Sequence, residues 1–229
     1  MKTIGLIGGM SWESSVGYYQ IINKTIQEQL GGFHSAKCIL YSVDFSEIEE
    51  CQAQGDWDKS AEILTAAAQG LERAGADFLL ICTNTMHKVA DQIQSRIYIP
   101  ILHIAEVTAE ALLKNQISTV ALLGTKYTME QDFYKNKLIE KNLKVLIPEE
   151  ADRKLVNDTI YQELCLGVIS DASRAEFLRI MEELAEKGAQ GVILGCTEIG
   201  LLVKKEDTNI SLFDTTEIHA KTAAMRALE

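Results

Sequence analysis

Six short, nearly unbroken apolar runs punctuate the chain, at residues 3–8 (TIGLIG), 37–43 (KCILYSV), 77–82 (DFLLIC), 119–124 (TVALLG), 144–147 (KVLI) and 191–195 (GVILG). A strand with one wet face alternates apolar and polar positions, whereas a strand buried on both faces reads as a continuous apolar run. The runs therefore predict parallel strands covered on both sides. Longer segments with helical periodicity lie between them, among them 59–74 and 172–187, and each is followed by a glycine, Gly75 and Gly188. Glycine at that point suits a left-handed helix end. The alternating order of strand and helix predicts an open α/β fold.

The pattern also repeats. LERAGADFLLICTNT (71–85) resembles LAEKGAQGVILGCTE (184–198), pairing Leu71 with Leu184, Gly75 with Gly188 and Thr83 with Cys196, each 113 residues apart. GLIGG (5–9) resembles ALLGT (121–125) at a spacing of 116, and IPILHIAE (99–106) resembles ISLFDTTE (210–217) at 111. Three matches in one order at nearly one spacing predict two similar Rossmann-like lobes related by a pseudo-twofold. The expected boundaries are 1–97 plus 209–229 for the first lobe and 98–208 for the second. The third match predicts an exchange, in which the piece after Ile97 opens the second lobe and the C-terminal piece packs back on the first. Ligands of such sheets bind beyond the carboxyl ends of the strands, which places the expected site in the cleft between the lobes.

A length of 229 residues accommodates one large domain or two small ones. The net charge of −11 comes with no block of Lys and Arg, so nucleic acid and anionic membranes are not expected partners. No apolar run is long enough to span a bilayer, and the N-terminal MKTIGLIGGMSW reads as a first strand rather than a cleavable signal. The five cysteines (Cys38, Cys51, Cys82, Cys165 and Cys196) are odd in number and irregularly spaced. This favours free thiols and a reducing cytoplasm. No His, Cys or carboxylate pair has metal-site spacing, and GLIGG lacks the G-x-G-x-x-G fingerprint of a dinucleotide site. Neither a metal nor a cofactor is expected.

If the lobes face each other, Thr83 and Cys196 stand on opposite sides of whatever lies in the cleft. Two opposed acid/base groups suit inversion at a carbon, one removing a proton and the other returning one to the opposite face. A free thiol titrates near pH 8.5, close enough to neutrality for general-base work if a positive field lowers it further. Thr83 departs from that symmetry, because a hydroxyl cannot sit as an anion at neutral pH. Cys82 is one residue away, but successive strand residues point to opposite faces, so Cys82 is expected in the core unless the strand end bulges.

IGLIGGMSWES near the N-terminus, CTNTMHK in the middle and GCTEIGLL near the end together resemble the aspartate/glutamate racemase family, over essentially the whole chain. The resemblance implies cofactor-independent racemisation of an amino acid by a homodimer of two-lobed α/β subunits. The family pattern has a cysteine before Asn-Thr in the first lobe, serving the D-enantiomer, and one before Thr-Glu in the second, serving the L-enantiomer. Here the second is Cys196 and the first position is Thr83. The expected activity is therefore L-preferring and slow, acting on aspartate or glutamate.

The resemblance also assigns substrate contacts to Met10, Gln52 and the segment from Thr83 through Asn84 to Thr85. Thr125 lies in the repeat of the Gly8–Ser11 loop. Backbone N–H groups after Asn84-Thr85 and Thr197-Glu198 are expected to open helices and face the substrate carboxylate. Thr128-x-x-Gln131 has capping-box spacing and predicts a helix start at Thr128. Gln52 reads equally as a solvated helix end, Lys126 as a surface lysine and His87 as a structural histidine. Two other functions fit the same residues. One is a one-sided reaction such as decarboxylation with protonation from Cys196. The other is a catalytically degenerate protein that only binds an acidic amino acid.

Overall fold

The computed structural model describes all 229 residues and divides into two compact units, Met1–Ile104 with Thr216–Glu229, and Ala105–Thr215. The first unit opens with β1 (Ile4–Gly8), α1 (Trp12–Leu30), β2 (Cys38–Ser42), α2 (Phe45–Gln54), α3 (Trp57–Arg73) and β3 (Phe78–Ile81). A 3-10 turn (Thr85–Val89) and α4 (Ala90–Gln94) follow. Its strands pair in the order β2-β1-β3, all parallel, with Ile4 opposite both Cys38 and Phe78. Every residue of β1 and β3 is buried, which is why neither strand alternates in sequence. Helix α3 covers one face with Leu64, Ala67, Ala68 and Leu71, at the spacing of a single helical stripe, and they pack with Ile7, Leu79 and Ile81. Fully burying one such leucine stabilises the fold by about 1.5–3 kcal/mol. Replacing Leu64 by Ala would cost roughly 2–5 kcal/mol, because a cavity remains.

The second unit comprises α5 (Ile104–Lys114), whose first residue still belongs to the first unit, then β4 (Thr119–Gly124), α6 (Lys126–Glu130), α7 (Asp132–Ile139), β5 (Lys144–Leu146), α8 (Glu150–Gln162), α9 (Asp171–Glu186), β6 (Gly191–Gly195), α10 (Ile199–Leu202) and β7 (Ser211–Asp214). The parallel order is β5-β4-β6-β7. Helix α9 buries Phe177, Ile180, Met181 and Leu184 against Leu123, Val192 and Leu194. The last helix, α11 (Thr215–Leu228), returns to the first unit from Thr216 onward.

The two sheets share one strand order. A parallel bridge between Leu79 and Ile101 extends the first sheet where β7 extends the second. Leu79 N–H donates to Pro100 O at 2.9 Å and Leu102 N–H to Leu79 O at 2.8 Å. The chain therefore changes unit after these strand segments, at 104/105 and 215/216, and not before them at 97/98 and 208/209. The reason is hydrogen bonding: each segment completes its own sheet, and only the helices that follow, α5 and α11, are exchanged. Helix α11 is tied down by Lys2 N–H donating to Ala227 O and by His219, which bonds both Tyr18 and Leu102 O.

Candidate functional site

At the carboxyl end of the first sheet, the register of Ile7 with Ile81 sets Gly8 beside Cys82. Cys82 N–H donates to Ile7 O at 2.9 Å. Its side chain is fully buried, and burial pushes the thiol far above its ordinary range. Alternation accordingly turns the next residue, Thr83, outward, and Thr83 is only part-buried. Its backbone is held from two sides: its N–H donates to Ile81 O at 2.8 Å, and its carbonyl lies 2.8 Å from His87 Nδ1. Asn84 and Thr85 are buried. They open the helical segment expected from the sequence, whose first five residues are 3-10 and continue into α4.

The loop from Gly8 to Ser11 is built on the first turn of α1. Ser11 caps that helix, accepting from Ser14 N–H at 3.3 Å. Ser15 Oγ accepts from Gly9 N–H at 2.8 Å and donates to Ser11 O at 2.9 Å. Gly9 has φ +92°, and a Cβ there would stand 2.2 Å from Val43 O, so no other residue fits without moving the β2 end. Met10 is buried beside it. Gln52 is no solvated helix end: it is 5% exposed, in the last turns of α2, and its Nε2 lies 3.0 Å from Met86 Sδ.

The second sheet repeats the plan. Gly124 pairs with Gly195, and a Cβ on Gly195 would stand 2.7 Å from Leu123 O. Cys196 is the first residue beyond β6 and is part-buried. Its Sγ–H donates to Glu198 Oε2 at 3.0 Å, and Thr197 Oγ1–H donates to the same oxygen at 2.5 Å. Burial raises the Cys196 thiol well above its ordinary value, and the Glu198 charge raises it further. This is opposite to the positive field that a resting thiolate would need. A carboxylate two residues along bends back onto the thiol, and spacing alone does not reveal that.

Thr125 is buried and caps α6, its Oγ1 accepting from Thr128 N–H at 3.4 Å. The helix thus starts three residues before the expected capping box, and Gln131 instead precedes α7. Lys126 is exposed, with its backbone N–H on Asn157 Oδ1 at 3.0 Å. It lines a groove of about 820 Å³ with Arg153, Lys154 and Asn157, which does not include Cys196. No three His, Cys, Asp or Glu side chains are grouped to hold a metal ion, and no helix is long and apolar enough to cross a membrane.

Sequence reasoning missed a buried aromatic cluster behind Thr83. His87, His103 and His219 are 3%, 9% and 0% exposed. The His87 ring lies 4.6 Å from that of His103 and 5.8 Å from that of His219. His219 Nε2 lies 2.8 Å from Leu102 O, an obligate acceptor, so Nε2 carries the proton and Nδ1 accepts from Tyr18 OH at 2.9 Å. Tyr18 and His219 are 201 residues apart in sequence, and no local pattern links them.

The Asp/Glu/Hydantoin racemase family model matches residues 7–223. The chain is similar to a broad specificity amino-acid racemase of Bacillus subtilis, at 25% identity over 73% of this chain and 72% of the relative. Among solved structures, a candidate Asp/Glu racemase from Yersinia pestis superposes with a TM-score of 0.93 at 53% identity, covering 100% of both chains. An aspartate racemase homologue from Pyrococcus horikoshii OT3 does so at 0.87 and 36% identity, again over 100% of both.

Proposed function

The chain belongs to the Asp/Glu/hydantoin racemase family, and on that premise we propose that it is a cofactor-independent racemase of acidic amino acids that prefers the L-enantiomer. The observation that carries the reading is the Cys196–Glu198 hydrogen bond beyond β6, against Thr83 at the repeat position beyond β3. One strand end carries an ionisable thiol with a proton acceptor. The other carries a hydroxyl, and its neighbouring thiol, Cys82, is sealed in the core.

In this reading Glu198 takes the Sγ proton and the Cys196 thiolate takes the α-proton of the L-amino acid. The ammonium group of a bound substrate would offset the negative charge that opposes thiolate formation. Charge left on the α-carbon spreads into the substrate carboxylate, which backbone N–H groups beyond the strand ends stabilise. Thr83 Oγ1, or a water relayed through it, returns a proton to the opposite face, and the proton that Glu198 took passes through solvent to the oxygen that gave one. The reading requires both residues to reach the same α-carbon. Removing the α-proton of the D-enantiomer would need the Thr83 hydroxyl as a base, and it is far too weak an acid for that. Met10, Gln52, Asn84, Thr85, Thr125 and Thr197 would shape the substrate site. A homodimer and a cytoplasmic setting belong to the same reading; all five cysteines are free.

The test is α-proton exchange in D₂O, followed by NMR, with L- and D-aspartate and L- and D-glutamate offered separately and Cys196→Ala as control. Exchange from the L-forms, abolished in the control, is the expected result. Equal exchange from both hands would overturn the enantiomer preference. Binding without exchange would favour the degenerate binding protein, and carboxylate loss would favour a decarboxylase.

A further inference from the structure

His87 makes two bonds that together define its chemistry. Ile104 N–H donates to Nε2 at 3.1 Å, and a backbone N–H can only donate. Nε2 is therefore the unprotonated nitrogen, and Nδ1 carries the hydrogen. Nδ1–H then donates to Thr83 O at 2.8 Å. Burial and the neighbouring His103 hold the ring well below its ordinary pKa, so the neutral tautomer persists. The imidazole is a directional strut: donor toward the strand end, acceptor toward the first N–H of α5.

That second partner matters. The first N–H groups of a helix have no partner inside the helix, and Ile104 N–H receives one from His87. Ile104 is also the last residue before the chain leaves the first unit. The ring thus ties the Thr83 backbone to the start of the crossover helix, and the ring itself is buried.

We propose that His87 is a positioning residue that fixes the Thr83 side chain in place by holding its carbonyl against the start of α5. The inference rests on the reading of Thr83 as the proton-returning group. It goes beyond that reading by assigning His87 to the returning step alone, leaving α-proton removal by Cys196 untouched.

Two substitutions separate the two bonds. In His87→Asn the amide N–H sits where Nδ1–H was and keeps the bond to Thr83 O. In His87→Gln the amide oxygen sits where Nε2 was and keeps the bond to Ile104 N–H. With L-aspartate in D₂O, exchange with retention reports the Cys196 side, and inversion reports delivery from the Thr83 side. His87→Gln is expected to lower the ratio of inversion to exchange, by on the order of a hundredfold for a displacement near 1 Å. His87→Asn should keep the wild-type ratio even if both rates fall with stability. Parallel loss of both signals in both variants would overturn the proposal, because a merely structural histidine does that. A second readout does not depend on activity: the Thr83 methyl resonance should shift in His87→Gln and stay in His87→Asn. If the wild type exchanges no amino acid, the racemase reading fails, and the methyl shifts still decide the positioning. Equal shifts in both variants, or none in either, would sink it.

Discussion

Cys196 Sγ and Glu198 Oε2 lie 3.0 Å apart, with the sulfur as donor. The thiol is therefore protonated at rest, and its proton already has a destination. In the proposed reaction the carboxylate would have opposite effects on the two stages: it disfavours the free thiolate, yet it would be the acceptor through which the thiolate forms.

Replacing Glu198 by Gln should separate these effects. The raised thiol titrates above its ordinary range, so the reactive thiolate fraction of the wild type grows only as pH rises. Removing the Glu198 charge removes one cause of the rise, and the titration should move to lower pH. The rate of Cys196 alkylation against pH, assigned by peptide mass spectrometry, reads this directly. An unchanged or higher midpoint would contradict the arrangement. Exchange from L-aspartate should nevertheless fall roughly a hundred- to ten-thousandfold, the usual worth of a positioned base.

Thr83→Cys should install a second ionisable group. Exchange from D-aspartate, which the proposed reading makes slow or absent in the wild type, should rise by roughly a hundredfold or more. Thr83→Ala should leave exchange from the L-form and suppress inversion. If D-exchange stays flat in Thr83→Cys while the L-side remains active, Thr83 does not face the substrate.

Cys82→Ala should affect stability and leave the chemistry intact. The side chain is fully buried, and losing one buried heavy atom costs about 1 kcal/mol. Loss of exchange at an unchanged melting temperature would show that Cys82 reaches the substrate after all.

The buried histidines predict an acid sensitivity. Burial lowers His219 to about 3, against an ordinary value near 6.5. The unfolded chain thus binds more protons than the folded one between these values, and stability falls as pH drops below about 6.5. His87 acts in the same direction. Melting temperatures between pH 7.5 and 4 should fall more steeply for the wild type than for His219→Gln, although the variant starts lower. Parallel slopes would mean that the ring is charged in the folded state.

Much of this architecture was legible in the residues, for a physical reason. Strands buried on both faces leave continuous apolar runs, so β1, β3, β4 and β6 could be read directly. Strand β7 is short and has only one buried position, and only the repeat to 99–106 drew attention to it. The same repeat suggested an exchange but put both crossings before the strand segments, because their place depends on strand pairing between Leu79 and Ile101. Thr83 and Cys196 stood out by position. The direction of the Cys196 shift did not, since it depends on which way the Glu198 side chain turns. The Tyr18–His219 contact lay beyond any local signal, being made only when α11 closes on α1.

The two crossings of the chain, at 104/105 and 215/216, also bear on synthesis. The second unit is one continuous stretch, and it is synthesised whole before α11, which the first still lacks. Until those last residues emerge, Tyr18, Leu102 O and Lys2 N–H have no α11 partner. The nascent first half must therefore wait, part-built, through the translation of all of residues 105–215. Its completion couples folding of the Thr83 side to the arrival of α11, and a chain truncated before Thr216 would hold one finished half and one unfinished one.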